Sequence, residues 1–471
     1  MKRAMSFELR ASSKRKRRGR VRRGGKRGIA LIMVLGSLTI LTMMLAEFQA
    51  DTSATLASAM ADRDGVQAEY AARSAVNLSR LLIAMEPTIR QAIAPLFAFM
   101  KRQPPQLPVW EFSDRLLAPF NDKQATEDFA ASLKVNFGTG KNLGLPVGRF
   151  EVKIVDEDAK INVNLGASND IAHIRLAKEL IGLIGPPQYS PLFEQRDSTG
   201  NYHDRMSVCA AIIDWADVDE QAMNCDTQTQ QAPVSAGVED AYYQLLATKA
   251  YRRKNAPYDS LEELHMVRGI TDDFWATFVD PDPTKPDKRV MTVWGQGAVN
   301  VNSANAQTLL GVVCAGAPTA KICTDVTQAG MFLSGVTMAR AMTMGAPLFG
   351  SPNDFIQMMT GGGMLGPILT GMGMQPVKFL SNAEFAKTIT TESKVFSIYS
   401  VGIIKGYKRE VRLRLQEVVD FRNTPNLSSV PSPSASGSTT LPPPPTTQTG
   451  SNAAALVQPA TAGNVVYFRI D

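Results

Sequence analysis

A basic segment ends at a single glycine, and a long uncharged run begins immediately after it. Residues 1–28 hold 13 Lys/Arg and one acid, Glu8. The 18 residues from Ile29 to Ala46 carry no charge, and the run stops at Glu47. A helix of that length spans a bilayer. A secretory signal places its small-residue cleavage site after the apolar core. Here the processing point, Gly28, precedes it. Cutting between Gly28 and Ile29 removes the basic leader and keeps the apolar helix. The cluster Lys14-Arg15-Lys16-Arg17-Arg18 holds the N-terminus in the cytoplasm by the positive-inside rule. Such clusters also serve as nuclear or nucleic-acid addresses; the adjoining span makes that the minor reading.

The leader dominates the charge. The chain has 50 basic and 44 acidic residues; beyond residue 28, 37 basic and 43 acidic residues remain, a net charge near −6. At 471 residues there is room for two or three domains. Residues 423–462 are rich in Pro, Ser, Thr and Ala and nearly uncharged, the composition of a linker. All four cysteines, Cys209, Cys225, Cys314 and Cys323, follow the span and are expected outside the cytoplasm. An even count permits two disulfides. Of three pairings, the local one, Cys209–Cys225 with Cys314–Cys323, is preferred, and free structural cysteines are the alternative. Zinc is disfavoured, because there is no C-x-x-C and no His partner nearby.

The helix is expected to continue past the span. Residues 47–85 contain no Pro, and Leu78, Leu81, Leu82 and Met85 fall at helical spacing. Pro87 predicts an end at Glu86. Residues 90–145 read as helical and loop-rich. Arg149–Val155 alternates as a strand, followed by a turn at Asp156–Ala159 and a short strand at Lys160–Asn164. From about 168 to 390 the pattern turns helical, with segments at Ile171–Ile184, Asp204–Ala216 and Asp259–Leu264, the last capped by Asp259 or Ser260. Asn162-Val163-Asn164 recurs as Asn300-Val301-Asn302, which suggests two related helical units. Lys394–Ile404 and Tyr407–Val419 read as a hairpin joined at Lys405-Gly406, and Val465–Ile470 as a final strand. Strands on both sides of a helical block imply a helical domain inserted in a sheet domain.

The N-terminal layout resembles class III, type IV pilin-like signals, which a prepilin peptidase cuts on the cytoplasmic side. Further motifs agree in order: Arg27-Gly28-Ile29-Ala30-Leu31, Asp156-Glu157-Asp158-Ala159-Lys160-Ile161-Asn162-Val163-Asn164, and Ile213-Asp214-Trp215-Ala216-Asp217-Val218-Asp219. They continue with Gly237-Val238-Glu239-Asp240-Ala241-Tyr242-Tyr243, Pro257-Tyr258-Asp259-Ser260-Leu261-Glu262-Glu263-Leu264, Val267-Arg268-Gly269-Ile270-Thr271 and Val299-Asn300-Val301-Asn302. From residue 26 to about 420 the chain resembles the K-type minor pseudopilin of bacterial type II secretion systems (the GspK family).

That resemblance implies an α+β, pilin-like fold, a long N-terminal transmembrane helix packed on an antiparallel sheet. A large helical domain, SAM-like or helix-hairpin-helix-like, is inserted in it. The expected divisions are a cleaved leader (1–28), the transmembrane helix (29–47) and the first part of the pilin-like domain (48–167). The inserted domain (168–390), the pilin-like strands (391–422), the linker (423–462) and a terminal strand (463–471) follow. The resemblance further implies a non-enzymatic subunit at the tip of a short pseudopilus, anchored once in the bacterial inner membrane with its bulk in the periplasm. Implied partners are the I- and J-type minor pseudopilins, the major pseudopilin and prepilin peptidase. Most pilins carry glutamate at the fifth mature position, where it pairs with a neighbour's N-terminal amine. Here that position is Met33, a departure the K-type family shares and one that suits a filament end. The alternative is a minor pilin of a type IV pilus or DNA-uptake system. The Met/Gly-rich stretch 330–375 matches no motif.

Asp214, Asp217, Asp219, Glu239 and Asp240 cluster around a loop. Hard oxygen ligands in flexible loops suit calcium, although the EF-hand spacing is absent. Spacing alone leaves calcium and a solvated acidic loop equally open, and the resemblance favours calcium. His173, His203 and His265 stand in unrelated contexts, with no nucleophile elbow or H-E-x-x-H. Gly138–Asn142 misses the P-loop pattern. Val267–Thr271 resembles a helix-hairpin-helix turn, but a mature charge near −6 opposes phosphate binding, so no nucleic acid is expected.

Overall fold

The structure is a computed structural model. It describes residues 26–99, 104–121, 148–194, 202–226, 234–238, 241–246, 250–343, 345–363, 365–406, 409–424 and 462–471. The near P-loop at 138–142, Glu239, Asp240 and nearly all of the Pro-rich tract lie outside the described residues.

Helix α1 runs from Lys26 to Phe99. It belongs to two compact units, one ending at Arg63 and the other beginning at Asp64. In the first unit the side chains from 28 to 60 are all exposed, and the helix is long and apolar enough to cross a membrane by length and composition. Three hydroxyls lie within the apolar run, and each bonds back to the preceding turn. Ser37 donates to the Val34 carbonyl at 2.9 Å, Thr39 to Gly36 at 2.8 Å and Thr42 to Thr39 at 2.9 Å. No side-chain O–H is left unpaired there, as a lipid environment requires.

The expected end at Glu86 is corrected: α1 continues through Pro87 and Pro95. Tertiary contacts hold the turn that Pro87 weakens. Arg90 donates to both oxygens of buried Glu86, at 3.1 and 2.8 Å, and to Glu392 at 2.5 Å. Glu86 also accepts the Leu107 amide at 2.9 Å.

In the second unit, α1 lies on a four-stranded antiparallel sheet. Its strands, in spatial order, are β1 (Gly148–Asp156), β2 (Val395–Lys405), β3 (Glu410–Asp420) and β4 (Asn464–Ile470). The contact is made by small residues at helical spacing: Ala68, Ala71, Ala72, Ala75 and Ser79 are all 0 % exposed. Gly402 of β2 permits the close approach. A Cβ there would stand 1.8 Å from the Ala68 carbonyl oxygen and 2.9 Å from the Ala72 nitrogen. Beside it, Ser400 donates to the Ala72 carbonyl at 3.0 Å. Arg80 ties the terminal strand to the helix, donating to the Ala462 and Gly463 carbonyls at 2.8 and 2.9 Å and pairing with Glu417 of β3 at 3.2 Å.

Between β1 and β2 the chain forms two helical cores. The first draws on residues from Ile161 to Val293, the second mainly on residues from Val299 to Ile389. The Asn repeat marks equivalent positions in them. Ile161–Asn162 pairs in parallel with Met291–Thr292, and Val299–Asn300 with Ile389–Thr390. Each first Asn accepts the amide two residues on, at 2.9 Å in both units. Each second Asn pins a distant aromatic residue. Asn164 accepts the Tyr258 amide at 2.7 Å, and Asn302 accepts the Phe349 amide at 3.0 Å. Two residues after each aromatic a serine opens a capping box, Ser260 with Glu263 and Ser351 with Asp354. The structure thus shows a duplicated supersecondary unit, which the short sequence echo only hints at.

Helices α2 (Asp170–Ile184) and α3 (Arg205–Asp214) serve the first core. Helices α4 (Ala306–Gly316), α5 (Val326–Thr343) and α6 (Pro352–Met359) serve the second. The two helical cores meet where α2 and α4 cross at glycines, a Cβ on Gly182 falling 2.2 Å from the Gly311 carbonyl oxygen. The structure holds two disulfides, Cys209–Cys225 in the first helical core and Cys314–Cys323 in the second.

Candidate functional site

Two regions answer to the residues singled out above. The first is the start of α1. Gly28 and Ile29 lie in its first turns, and no atom comes within 4 Å of a Cβ built on Gly28. Ile29 and Met33 are 62 and 70 % exposed. The run 29–46 thus presents a continuous exposed apolar surface.

The second is the loop after α3. Asp204 caps that helix, accepting the Ser207 amide at 2.7 Å. The Cys209–Cys225 bond ties the helix to the chain beyond the loop. Asp214 and Asp217 are buried, while Asp219 is exposed. Asp214 accepts the Met223 amide at 2.9 Å, and Asp219 the Gln221 amide at 2.7 Å. Arg253 enters from another part of the chain. It donates to the Asp214 carbonyl at 2.6 Å and to the Asp219 carbonyl at 3.3 Å, and stands 3.6 Å from Asp217 Oδ1. That oxygen is buried, with an ion-pair neighbour but no hydrogen bond.

Burial and like charge act together in this loop. Burial pushes the Asp214 carboxyl up to about 8, reinforced by Asp217 and Asp219 and opposed by the Met223 amide and Arg253. Burial and then Asp219 push Asp217 up to about 7. One oxygen of these two buried carboxyls, Asp217 Oδ1, is left without a hydrogen bond. Among the described residues no group of three or more His, Cys, Asp or Glu is assembled around one metal position. Arg253, which sequence motifs did not flag, supplies the positive charge instead.

The remaining motifs are structural. In the Val267–Thr271 turn, Gly269 has φ +80°, the left-handed conformation that glycine accepts. Arg268 of that turn stacks on Tyr242 at 4.9 Å and donates to His203 at 3.3 Å. His265 stacks on Trp275 at 3.9 Å, and His173 is buried in α2, so the three histidines are dispersed. The Asp156–Lys160 turn is the junction of sheet and inserted units. Asp156 accepts the Ser393 hydroxyl at 2.5 Å and also that of Ser303. Asp158 accepts the Lys394, Val395 and Gln296 amides at 2.6, 3.0 and 2.7 Å.

The long apolar helix laid on an antiparallel sheet, with helices inserted between strands, defines an α+β, pilin-like fold. No protein-family model matches the chain, and no curated protein matches it. Among solved structures it is similar to a chain in the crystal structure of the GspK-GspI-GspJ complex from the enterotoxigenic Escherichia coli Type 2 Secretion System. The two share 15 % sequence identity, with a TM-score of 0.35, over 66 % of this chain and 91 % of that one.

Proposed function

We propose that the protein is a minor pseudopilin of a type II secretion system, anchored in the inner membrane by residues 29–47 with its bulk in the periplasm. The observation that carries this reading is α1 itself. One helix begins beside a basic-glycine junction, passes through an uncharged span, and ends seated by an alanine stripe on a sheet. That is the construction of a subunit that shares its N-terminal half with a membrane or filament and displays its C-terminal half as a globular domain. A prepilin peptidase cuts between Gly28 and Ile29. The subunit occupies the pseudopilus tip, because Met33 offers no carboxylate to a neighbour's amine. It assembles there with I- and J-type partners and performs no catalysis. The sequence pattern of Asp214, Asp217, Asp219, Glu239 and Asp240 supports calcium as a ligand of the acidic loop, where it would have to draw Asp214, Asp217 and Asp219 together and compete with Arg253 for the buried carboxyls.

The full chain, tagged and expressed with its own secretion apparatus, tests the assembly. Pull-down should recover I- and J-type pseudopilins, and immunogold label should mark filament ends. Label spaced regularly along filaments, or recovery of none of these partners, contradicts the reading.

A further inference from the structure

The Met/Gly-rich stretch 330–375 contributes most of the wall of a cavity of about 570 Å³. The wall is apolar, with Phe332, Val336 and Ala339 from α5 facing Leu348, Phe355 and Leu369. Only Ala329 and Phe332 of α5 are buried, so the second half of this helix stands off the core. Met338, Met342, Ile368 and Met372, also on the wall, are 54, 77, 56 and 54 % exposed, which gives the cavity an apolar mouth.

Two charged side chains reach the cavity, Glu111 and Arg340. Arg340 donates to the Ser303 and Asn302 carbonyls at 3.2 and 3.1 Å. A guanidinium has five N–H groups, so donors remain. Burial pushes the Glu111 carboxyl up and the Arg340 guanidinium down, each opposed by the other's charge.

Mostly apolar cavities of about 300–1,000 Å³ with a few convergent polar groups are ligand sites. A wall that is apolar except near Arg340 and Glu111 suits a ligand with one polar end and a hydrocarbon body. A slim, flexible chain fits, and thioethers adapt to such a chain without a fixed geometry. From Arg340 to Phe332 the cavity can follow α5 for roughly 12 Å.

We propose that this cavity binds an acyl chain, its carboxyl or ester oxygens at Arg340 and its hydrocarbon along α5 toward Phe332. The site is independent of the pseudopilin reading. The chain can come from a free fatty acid or from a phospholipid tail, and the two are separated by the probe.

The full-length protein in its own membrane is irradiated with a diazirine fatty acid or with a diazirine phospholipid, and adducts are mapped by mass spectrometry. Adducts should fall on peptides covering 332–349 or 365–372. The arm that labels them identifies the source. Excess unlabelled oleate, or unlabelled phospholipid in the other arm, should reduce those adducts about tenfold while sparing any in the 29–46 span. Ala339→Trp and Leu369→Trp, which fill the cavity from opposite walls, should do the same without lowering Tm. Because competition uses the unaltered protein, the test survives misfolding of either variant. Adducts confined to 29–46, or cavity adducts that excess ligand does not displace, overturn the proposal. A photoreactive residue at Met342 that captures a protein in place of lipid overturns it in favour of a protein-docking site.

Discussion

Replacing Gly402 with valine should pry α1 from the sheet. In isolation the change favours a strand, since glycine weakens strands and β-branched residues suit them. Here the new Cβ would stand 1.8 Å from the Ala68 carbonyl oxygen and 2.8 Å from its carbon, both backbone atoms that no rotamer change can move. Restoring ordinary contact requires the helix to withdraw by roughly 1.5 Å, a gap that forfeits most of the contact energy at that point. Ala68, Ala71, Ala72 and Ala75 are all 0 % exposed. Reopening four methyl contacts costs about 3 kcal/mol at about 0.8 kcal/mol each, and overpacking strain adds about 1–3 kcal/mol. Hydrogen exchange on the full chain should show lost protection at 64–84 and 395–405 together, with a lower Tm. The control is Gly330→Ala in α5, where no atom lies within 4 Å of the new Cβ; it should stabilise by about 0.5–1 kcal/mol. A Gly402→Val protein with native protection and Tm would refute the packing account.

Three further outcomes follow from the same geometry. Burial raises Asp214 to about 8 and Asp217 to about 7, so the folded state binds more protons than the unfolded chain. In chelator, the stability these two groups contribute should therefore be full below about pH 4 and be lost as pH rises through 7 and 8. Saturating calcium should flatten that slope, and an identical slope with and without calcium would remove the metal from the account. Replacing Cys209 and Cys225 with serine opens a loop of 16 residues and should cost about 3 kcal/mol, and reductant should destabilise the parent by more than this, because it also opens Cys314–Cys323; a variant as stable as the parent would refute the estimate. Arg80→Ala leaves buried Glu417 without its partner and frees the Ala462 and Gly463 carbonyls. It should cost about 2–3 kcal/mol and speed amide exchange at 464–470, and unchanged exchange there would show that pairing with β3 alone holds the strand.

Local signals carry much of this fold. The apolar run after Gly28 is legible because lipid-spanning helices need length and lack of charge, properties that composition alone displays. The hairpin around Lys405-Gly406 is legible because alternation and a turn glycine are local. The continuation of α1 through Pro87 is not, since the local Glu86–Arg90 pair is anchored by the Leu107 amide and by Glu392, partners that only folding brings together. The duplication is half legible. Two Asn-Val-Asn triplets are visible, but their equivalence rests on Tyr258 and Phe349, 94 and 47 residues downstream. Gly402 could have been found, because an isolated glycine inside a strand pattern signals close backbone approach. Arg253 could not, because a lone arginine far from an acidic loop carries no spacing signal. The cavity is equally silent in sequence, where its lining reads as unpatterned Met and Gly.

The most direct test of the central claim is the N-terminal sequence of the protein recovered from its native membrane. A pilin-type subunit keeps the apolar half of α1 and loses the basic leader, so the mature chain should begin at Ile29, and Gly28→Leu should accumulate uncut precursor. A mature protein that still begins at Met1, or one cut after Ala46 so that the span is gone, would contradict it.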